Sequence, residues 1–419
     1  MEKYRKINSL EEAIQVKSSI LSHGIRIDPM SGDFKPSKPS LYSYEISDKP
    51  TSFVFPQEVI LYQNNDLGIR VFSTVRFNVN SPWTLTKVDG HIVLKNQEVM
   101  FEIDLPVLPE FYKQDIPGED ATKYFQKLGG DTIALVMLNY CEYYARDVQC
   151  RFCEIHENFS STENQFLRVK QPEKMASYLV SAIRRDPSIR QIIFNSGNYS
   201  RNNNRTYFEM IKTLEFTIQE LTPEELNRVA FLIIVAPPED FQLIEKLKNA
   251  GATSVYINLE VWDEDTSRQV VPGKYAVGRD TYFRAFDHAL KYFGKGYVYT
   301  NLILGIQAID MTKDEKHFHE EREMQILYKA LDDLIARDVL LTNTIYHSSG
   351  KNKIGRIHIP QEAIAQFHMY YGERILQSGL VSSLCDGKNA VYASFEAIPN
   401  SLNNETYTYH KFKNMGVAA

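Results

Sequence analysis

The sequence predicts an α/β fold: a partial or full (β/α) barrel preceded by a β-rich domain. Three observations predict it. From about Gly129, short continuous apolar runs alternate with amphipathic stretches, the pattern of a parallel sheet covered on both faces. Before that point, apolar β-branched runs (PTSFVF, VILY, IRVFSTVRF, HIVL, VMFEIDLPVL) are separated by turn residues such as Asn64-Asn65-Asp66 and Asp89-Gly90, which suggests a small antiparallel β domain. Cysteine, glycine and polar positions then gather just after the later apolar runs, where a (β/α) barrel places its chemistry.

Element by element, Ser9 to Glu12 has capping-box form and opens a short helix that Gly24 can end. A Pro- and Ser-rich stretch follows at 36–50, and the run LPEFYKQDIPGED reads as a linker. In the barrel region, 132–139 (TIALVMLN) is a buried strand that stops just before Cys141. Residues 172–185 form a helix, 191–194 a strand, 229–235 a third strand and 238–249 an amphipathic helix closed by Gly251. Strand 254–259, helix 282–293, strand 297–304, a charged helix over 314–337, strand 339–343 and helix 361–378 complete the alternation. The run NYSRNNNR (198–205) reads as a solvated loop, and His317 and His319 as surface residues of the charged helix. The chain thus divides into a helix and β-rich part (1–128), the barrel (129–380) and a C-terminal extension (381–419).

Hydrophobic content of 43% and charged content of 24% are ordinary globular values. A net charge of −6 argues against a nucleic-acid surface, because such domains are usually basic. No apolar run approaches a membrane span, and the N-terminus lacks an apolar signal core, so the expected location is the cytoplasm. Four cysteines in a chain of 419 residues do not make a disulfide scaffold. Clustered thiols in an intracellular enzyme point instead to metal or catalysis.

Three of the four lie in LNYCEYYARDVQCRFCEI: Cys141, Cys150 and Cys153, spaced C-x8-C-x2-C. Three thiolates on one loop can hold three corners of a cubane iron–sulfur cluster and leave one iron open. They can equally hold a tetrahedral zinc ion, with His156 or Cys385 as the fourth ligand. Spacing alone leaves both readings open. Cys385 otherwise reads as a buried structural thiol.

The order of motifs resembles the radical S-adenosylmethionine (radical SAM) superfamily, in which a three-cysteine loop after the first barrel strand binds [4Fe-4S]. Phe152 matches the aromatic residue that commonly precedes the last cysteine. Ser196, Gly197 and Asn198 stand where that family has a GGE-like segment, without its glutamate. The segment INLEVWDEDTSRQVVPGK offers Asn258, Glu260 and Arg268, and is similar to the branch containing biotin, lipoyl and methylornithine synthases. Leu304, Gly305 and Ile306 stand where the family's GxIxG-like strand meets adenine. Further on, HSSGKNKIGRIHIPQEAI is similar to the stretch after the sixth strand of that branch.

This resemblance implies an enzyme with a [4Fe-4S] cluster on Cys141, Cys150 and Cys153 and S-adenosyl-L-methionine (SAM) as second cofactor. The reduced cluster would cleave SAM to a 5′-deoxyadenosyl radical, which abstracts hydrogen from a small-molecule substrate. Flavodoxin or ferredoxin would supply the electron. A single cysteine outside the loop disfavours an auxiliary cluster, and hence sulfur insertion. A biosynthetic rearrangement, lyase, cyclisation, methyl-transfer or C–C bond step remains. Tyr299, Asn301, Asn343, Tyr346 and Ser348 are candidate substrate contacts. The alternative is a non-catalytic α/β barrel binding protein with structural zinc at the cysteine loop.

Overall fold

The computed structural model describes residues 4–31, 56, 58–64, 69–97, 99–107, 111, 124–128, 132–156, 169–347 and 352–380. Most of the proposed linker, Ser348, Cys385 and the whole of 381–419 lie outside the described residues.

Helix α1 (Leu10–His23) begins where Ser9 accepts the Glu12 N–H at 3.1 Å. It stops at Gly24, whose φ of 75° is cheap only for glycine. Short strand β1 (Arg26–Ile27) follows, then the antiparallel pair β2 (Glu58–Asn64) and β3 (Ile69–Thr74). Strand β4 (Thr84–Val88) runs parallel to β1 and continues through antiparallel β5 (His91–Lys95) and β6 (Met100–Glu102). The β-rich part is therefore two small sheets, one of them containing a parallel pair. It shares one apolar core with the rest of the chain. Two polar tethers reinforce the join: buried Arg76 donates to the carbonyls of Leu21 and Ile345, and Ser22 Oγ donates to that of Ile359.

A third, larger sheet dominates the remainder. Strand β7 (Phe125–Leu128) lies antiparallel at its edge against β8 (Thr132–Val136). After β8 come the single-turn helix α2 (Glu142–Ala145), α3 (Pro172–Arg185), β9 (Gln191–Asn195), α4 (Arg201–Glu220), α5 (Pro223–Arg228) and β10 (Ala230–Val235). The chain goes on through α6 (Gln242–Asn249), β11 (Ser254–Ile257), α7 (Glu264–Val270), α8 (Pro272–Val277), α9 (Arg279–Phe293), β12 (Val298–Leu304), α10 (Glu320–Ile335), β13 (Leu340–Ile345) and α11 (Gln361–Ser378).

Strands β8 to β13 pair in chain order, all parallel, so each helical connection returns the chain to the same edge. All seven residues of β12 are buried, which a parallel sheet covered on both faces requires. The sheet curls into a half-barrel of seven mostly parallel strands, so the partial form of the expected barrel is the one adopted.

Helices form where apolar residues recur at helical spacing. In α3, Met175, Leu179, Ala182 and Ile183 are buried, while Arg184 and Arg185 face solvent at its C-terminal end. Burying the Met, Leu and Ile side chains among them contributes roughly 1.5–3 kcal/mol each. Helix α4 departs from the sequence reading, because NYSRNNNR is largely its first turn and not a loop. Its register comes from Tyr207, Met210 and Leu214, all buried. The charged helix starts only at Glu320, so exposed His317 and His319 precede it.

Candidate active site

The parallel strands bring the residues after Val136, Asn195, Val235, Ile257, Leu304 and Ile345 to one edge of the half-barrel. The cysteine loop sits there, held by three other segments.

The β9 end holds the loop's start. Gly197 N–H donates to Leu138 O at 3.0 Å and Glu142 N–H to Asn198 O at 2.8 Å. A Cβ on Gly197 would stand 2.0 Å from the Tyr140 carbonyl oxygen, so only glycine permits this approach. Glu142, directly after Cys141, is buried, and its Oε1 accepts from Ser200 Oγ at 2.8 Å and Asn198 Nδ2 at 3.2 Å.

The segment VVPGK holds the loop's centre. Arg151 N–H donates to Val270 O at 2.8 Å, and Gly273 N–H to Val148 O at 2.9 Å. A Cβ on Gly273 would meet Val148 O at 2.7 Å and the Tyr143 ring at 3.0 Å. Asn352 and Lys353 hold the end: Asn352 Nδ2 donates to Phe152 O at 3.3 Å and Glu154 Oε1 at 3.0 Å. Lys353 N–H donates to Arg151 O, and its Nζ pairs with Asp147 at 2.7 Å. Within the loop, Cys153 N–H donates to Cys150 O, and Tyr144 hydroxyl to Cys153 O at 2.6 Å.

The three free thiols are part-buried and lie in one another's electrostatic field. Burial pushes the Cys150 and Cys141 thiols up, and the Lys274 ammonium opposes that rise in both. Soft thiol donors with a buried cation beside them suit an iron–sulfur cluster, whose bound thiolates need compensating charge. Among the described residues, no group of three Cys, His, Asp or Glu side chains could hold a single metal ion.

Beyond β11, Glu260 has φ 71°, an uncommon left-handed conformation for a residue with a Cβ. Its backbone bridges to β12, with its N–H donating to Asn301 O and its O accepting from Ile303 N–H. Its carboxylate accepts from Lys274 Nζ at 3.0 Å and Asn301 Nδ2 at 2.6 Å. Lys274 Nζ also donates to Asn258 O at 2.6 Å. Burial opposes the lysine's charge, but Glu260, Tyr282 and Cys150 hold its pKa above the ordinary value. Around this pair, the buried Asn258 Oδ1, Asn301 Oδ1 and Tyr282 hydroxyl make no hydrogen bond within the described residues. Buried polar atoms are rarely left so, and a ligand would satisfy them.

Arg268 takes a different place. Its exposed guanidinium pairs with Asp265 at 3.3 Å and lies over the Tyr275 ring. Glu260's basic partner is thus Lys274, which the sequence reading passed over within PGK. Leu304 and Ile306 are fully buried, and Gly305 (φ 112°) is crowded by Ile359 and Tyr346, so its close approach is to the protein's own side chains. Its N–H donates to buried Glu323 at 2.6 Å. Tyr299 is buried and stacked on Tyr256, with ring centroids 4.4 Å apart. Tyr346 donates its hydroxyl to Gly355 O at 2.5 Å, and Asn343 lies in β13. Phe152 is part-buried against the core. A cavity of about 130 Å³ opens beside the loop's start, lined by Leu138, Tyr140, Val169, Tyr199 and Arg205.

No family model matches the chain. The bacteriochlorophyllide c C-7(1)-hydroxylase of Chlorobaculum limnaeum is 34% identical over 95 residues, 22% of this chain and 24% of the relative. The chain therefore matches about a quarter of that relative's length. Among solved structures, HydG, a maturase of the [FeFe]-hydrogenase, aligns with TM-score 0.40 and 16% identity over 62% of this chain and 52% of that one. A radical SAM methyltransferase from Sphaerobacter thermophilus aligns with TM-score 0.39 and 15% identity over 77% and 76%. Likeness at that level extends to barrels of other chemistry, including a chitinase domain from Pyrococcus furiosus. The cysteine loop, the order of the motifs and the curated relative are the more specific likenesses.

The chain resembles the radical SAM enzymes. Against that resemblance, three motif segments noted in the sequence (197–198, 270–274 and 352–353) have a common structural office, since each is bonded to the cysteine loop. Where the GGE-like segment lacks its glutamate, buried Glu142 from the cysteine loop lies beside Asn198. The residue paired with Glu260 is a lysine. Sequence reasoning missed both, though each adjoins a motif residue: Glu142 follows Cys141, and Lys274 follows the glycine of PGK.

Proposed function

We propose that the chain is a radical SAM enzyme holding a [4Fe-4S] cluster on Cys141, Cys150 and Cys153 and acting on a small molecule. The observation that supports this reading most is the convergence of three distant segments on one three-thiol loop at the C-terminal edge of a half-barrel. Bound there, the cluster would supply one-electron cleavage of SAM, and with it hydrogen abstraction from an unactivated carbon.

The chain's own residues then bind and orient. Glu142, held by Asn198 and Ser200, offers a buried carboxylate for the methionine ammonium, with Ser196 and Gly197 beside it. Glu260 and Asn258 would hold the ribose, and Phe152, Leu304, Gly305 and Ile306 the adenine, once Ile359 and Tyr346 give way at Gly305. Arg268 can meet the methionine carboxylate only by leaving Asp265. Tyr299, Asn301, Asn343, Tyr346 and Ser348 are the proposed substrate side. The packed half-barrel excludes water from the reacting carbon. The curated relative is named for hydroxylation of a bacteriochlorophyllide, and functionalisation of a C–H bond on a small biosynthetic molecule is the reaction class taken for this chain. Flavodoxin or ferredoxin is the proposed electron donor, and the cytoplasm the proposed location. No described helix is long and apolar enough to cross a membrane.

The test is anaerobic incubation of the reduced protein with SAM, followed by quantification of 5′-deoxyadenosine and methionine. Wild type should form both and Cys150→Ala neither. Equal SAM cleavage by the two proteins would refute the ligand assignment.

A further inference from the structure

The two backbone bonds between VVPGK and the cysteine loop flank one thiol on each side. Val148 and Arg151 bracket Cys150, and their partners Gly273 and Val270 bracket the turn that leads into Lys274. The absence of a side chain at Gly273 lets this turn lie flat against Val148 and Tyr143. The next residue is a lysine whose side chain is only 16% exposed and whose Nζ is fixed by Asn258 O at 2.6 Å and Glu260 Oε1 at 3.0 Å. A lysine seldom occupies such a place without a use for its charge. Its carboxylate partner is itself held by Asn301 and by a strained backbone at φ 71°. The ion pair is therefore held at both ends, and the turn that carries the lysine is bonded to the loop on either side of Cys150.

We propose that Lys274 is a positioning residue that keeps a permanent buried cation beside Cys150 and so raises the reduction potential of the cluster on the loop. This rests on the preceding reading of the loop as a cluster site. Adding an electron makes the cluster more negative, and a fixed positive charge in a poorly screened interior stabilises that state more than the oxidised one. Glu260, the carboxylate of the pair, acts in the opposite sense.

The experiment is a redox titration, followed by electron paramagnetic resonance, of anaerobically reconstituted wild type, Lys274→Met, Lys274→Arg and Glu260→Gln, with iron content measured on each. The midpoint potential should become more negative in Lys274→Met, stay near wild type in Lys274→Arg and become more positive in Glu260→Gln. A merely structural role predicts no such pair of opposite shifts. An unchanged or more positive potential in iron-replete Lys274→Met would overturn the inference. If that variant cannot hold iron, a potential in Glu260→Gln that fails to rise overturns it equally. A wild-type chain that takes up no cluster would sink the preceding reading, and this inference with it. A cluster of unaltered potential in the variants would sink this inference alone.

Discussion

Gly197 and Tyr140 approach so closely that a Cβ on the glycine would stand 2.0 Å from the tyrosine's carbonyl oxygen. This contact locks the β9 end to the start of the cysteine loop, beside the Gly197–Leu138 and Glu142–Asn198 backbone bonds. Gly197→Ala must displace backbone, not a flexible side-chain tip. It is expected to cost about 1–3 kcal/mol or more and to loosen the loop. Chemical denaturation should report the lost stability, and iron retention after desalting should fall with it. A variant as stable and as iron-replete as wild type would show that the approach is not needed.

Glu142 gives a sharper test of SAM recognition than the cysteines do, because its substitution leaves all three thiols in place. A buried hydrogen bond to a charged group contributes on the order of 1.5–3 kcal/mol, so Glu142→Gln should weaken SAM binding about tenfold or more. An analogue lacking the amino group should bind wild type and variant alike. Equilibrium binding without turnover makes the comparison. Loss of affinity for both ligands equally would detach Glu142 from the ammonium. Arg268→Gln, at an exposed side chain, is expected to change SAM affinity by about twofold at most.

Lys170 offers a pH signature separate from the chemistry. It is fully buried at the end of β8, where its Nζ donates to the Val136 carbonyl, and burial lowers its pKa from 10.5 to about 7. Between those values the unfolded chain binds more protons at this site than the folded chain, so stability rises with pH across the window. The slope is at most about 1.4 kcal/mol per pH unit. Lys170→Met should flatten that rise in denaturation midpoints measured from pH 7 to 10.5. Parallel pH dependences of wild type and variant would contradict the assignment.

Much of the architecture was legible in the sequence because parallel strands and amphipathic helices carry strong periodic signals. Helices over 172–185 and 361–378 fall at the expected residues, and Ser9 and Gly24 bound α1 as their chemistry requires. Helix α4 was hidden by its polar first turn, since Asn and Ser favour caps and loops when read locally. The apolar spacing of Tyr207, Met210 and Leu214 carried the signal instead. Strand β7 was missed because FQKL is too short and polar to register, and its antiparallel pairing with β8 is a tertiary fact.

The site was legible only in part. Three cysteines on a loop after a buried strand stand out in any reading. The Lys274–Glu260 pair does not, because a lysine after Pro-Gly reads as exposed turn until helix packing buries it. Glu142 reads as part of a spacer, with Arg146 one turn on as an ordinary i,i+4 partner, and only its burial next to Cys141 sets it apart.

The central claim is that Cys141, Cys150 and Cys153 hold one iron–sulfur cluster. It is tested most directly by the metal content of anaerobically purified wild type beside Cys150→Ala. About four irons per wild-type chain, and their loss in the variant, is the expected result. A colourless wild-type protein with one zinc and no iron would contradict it.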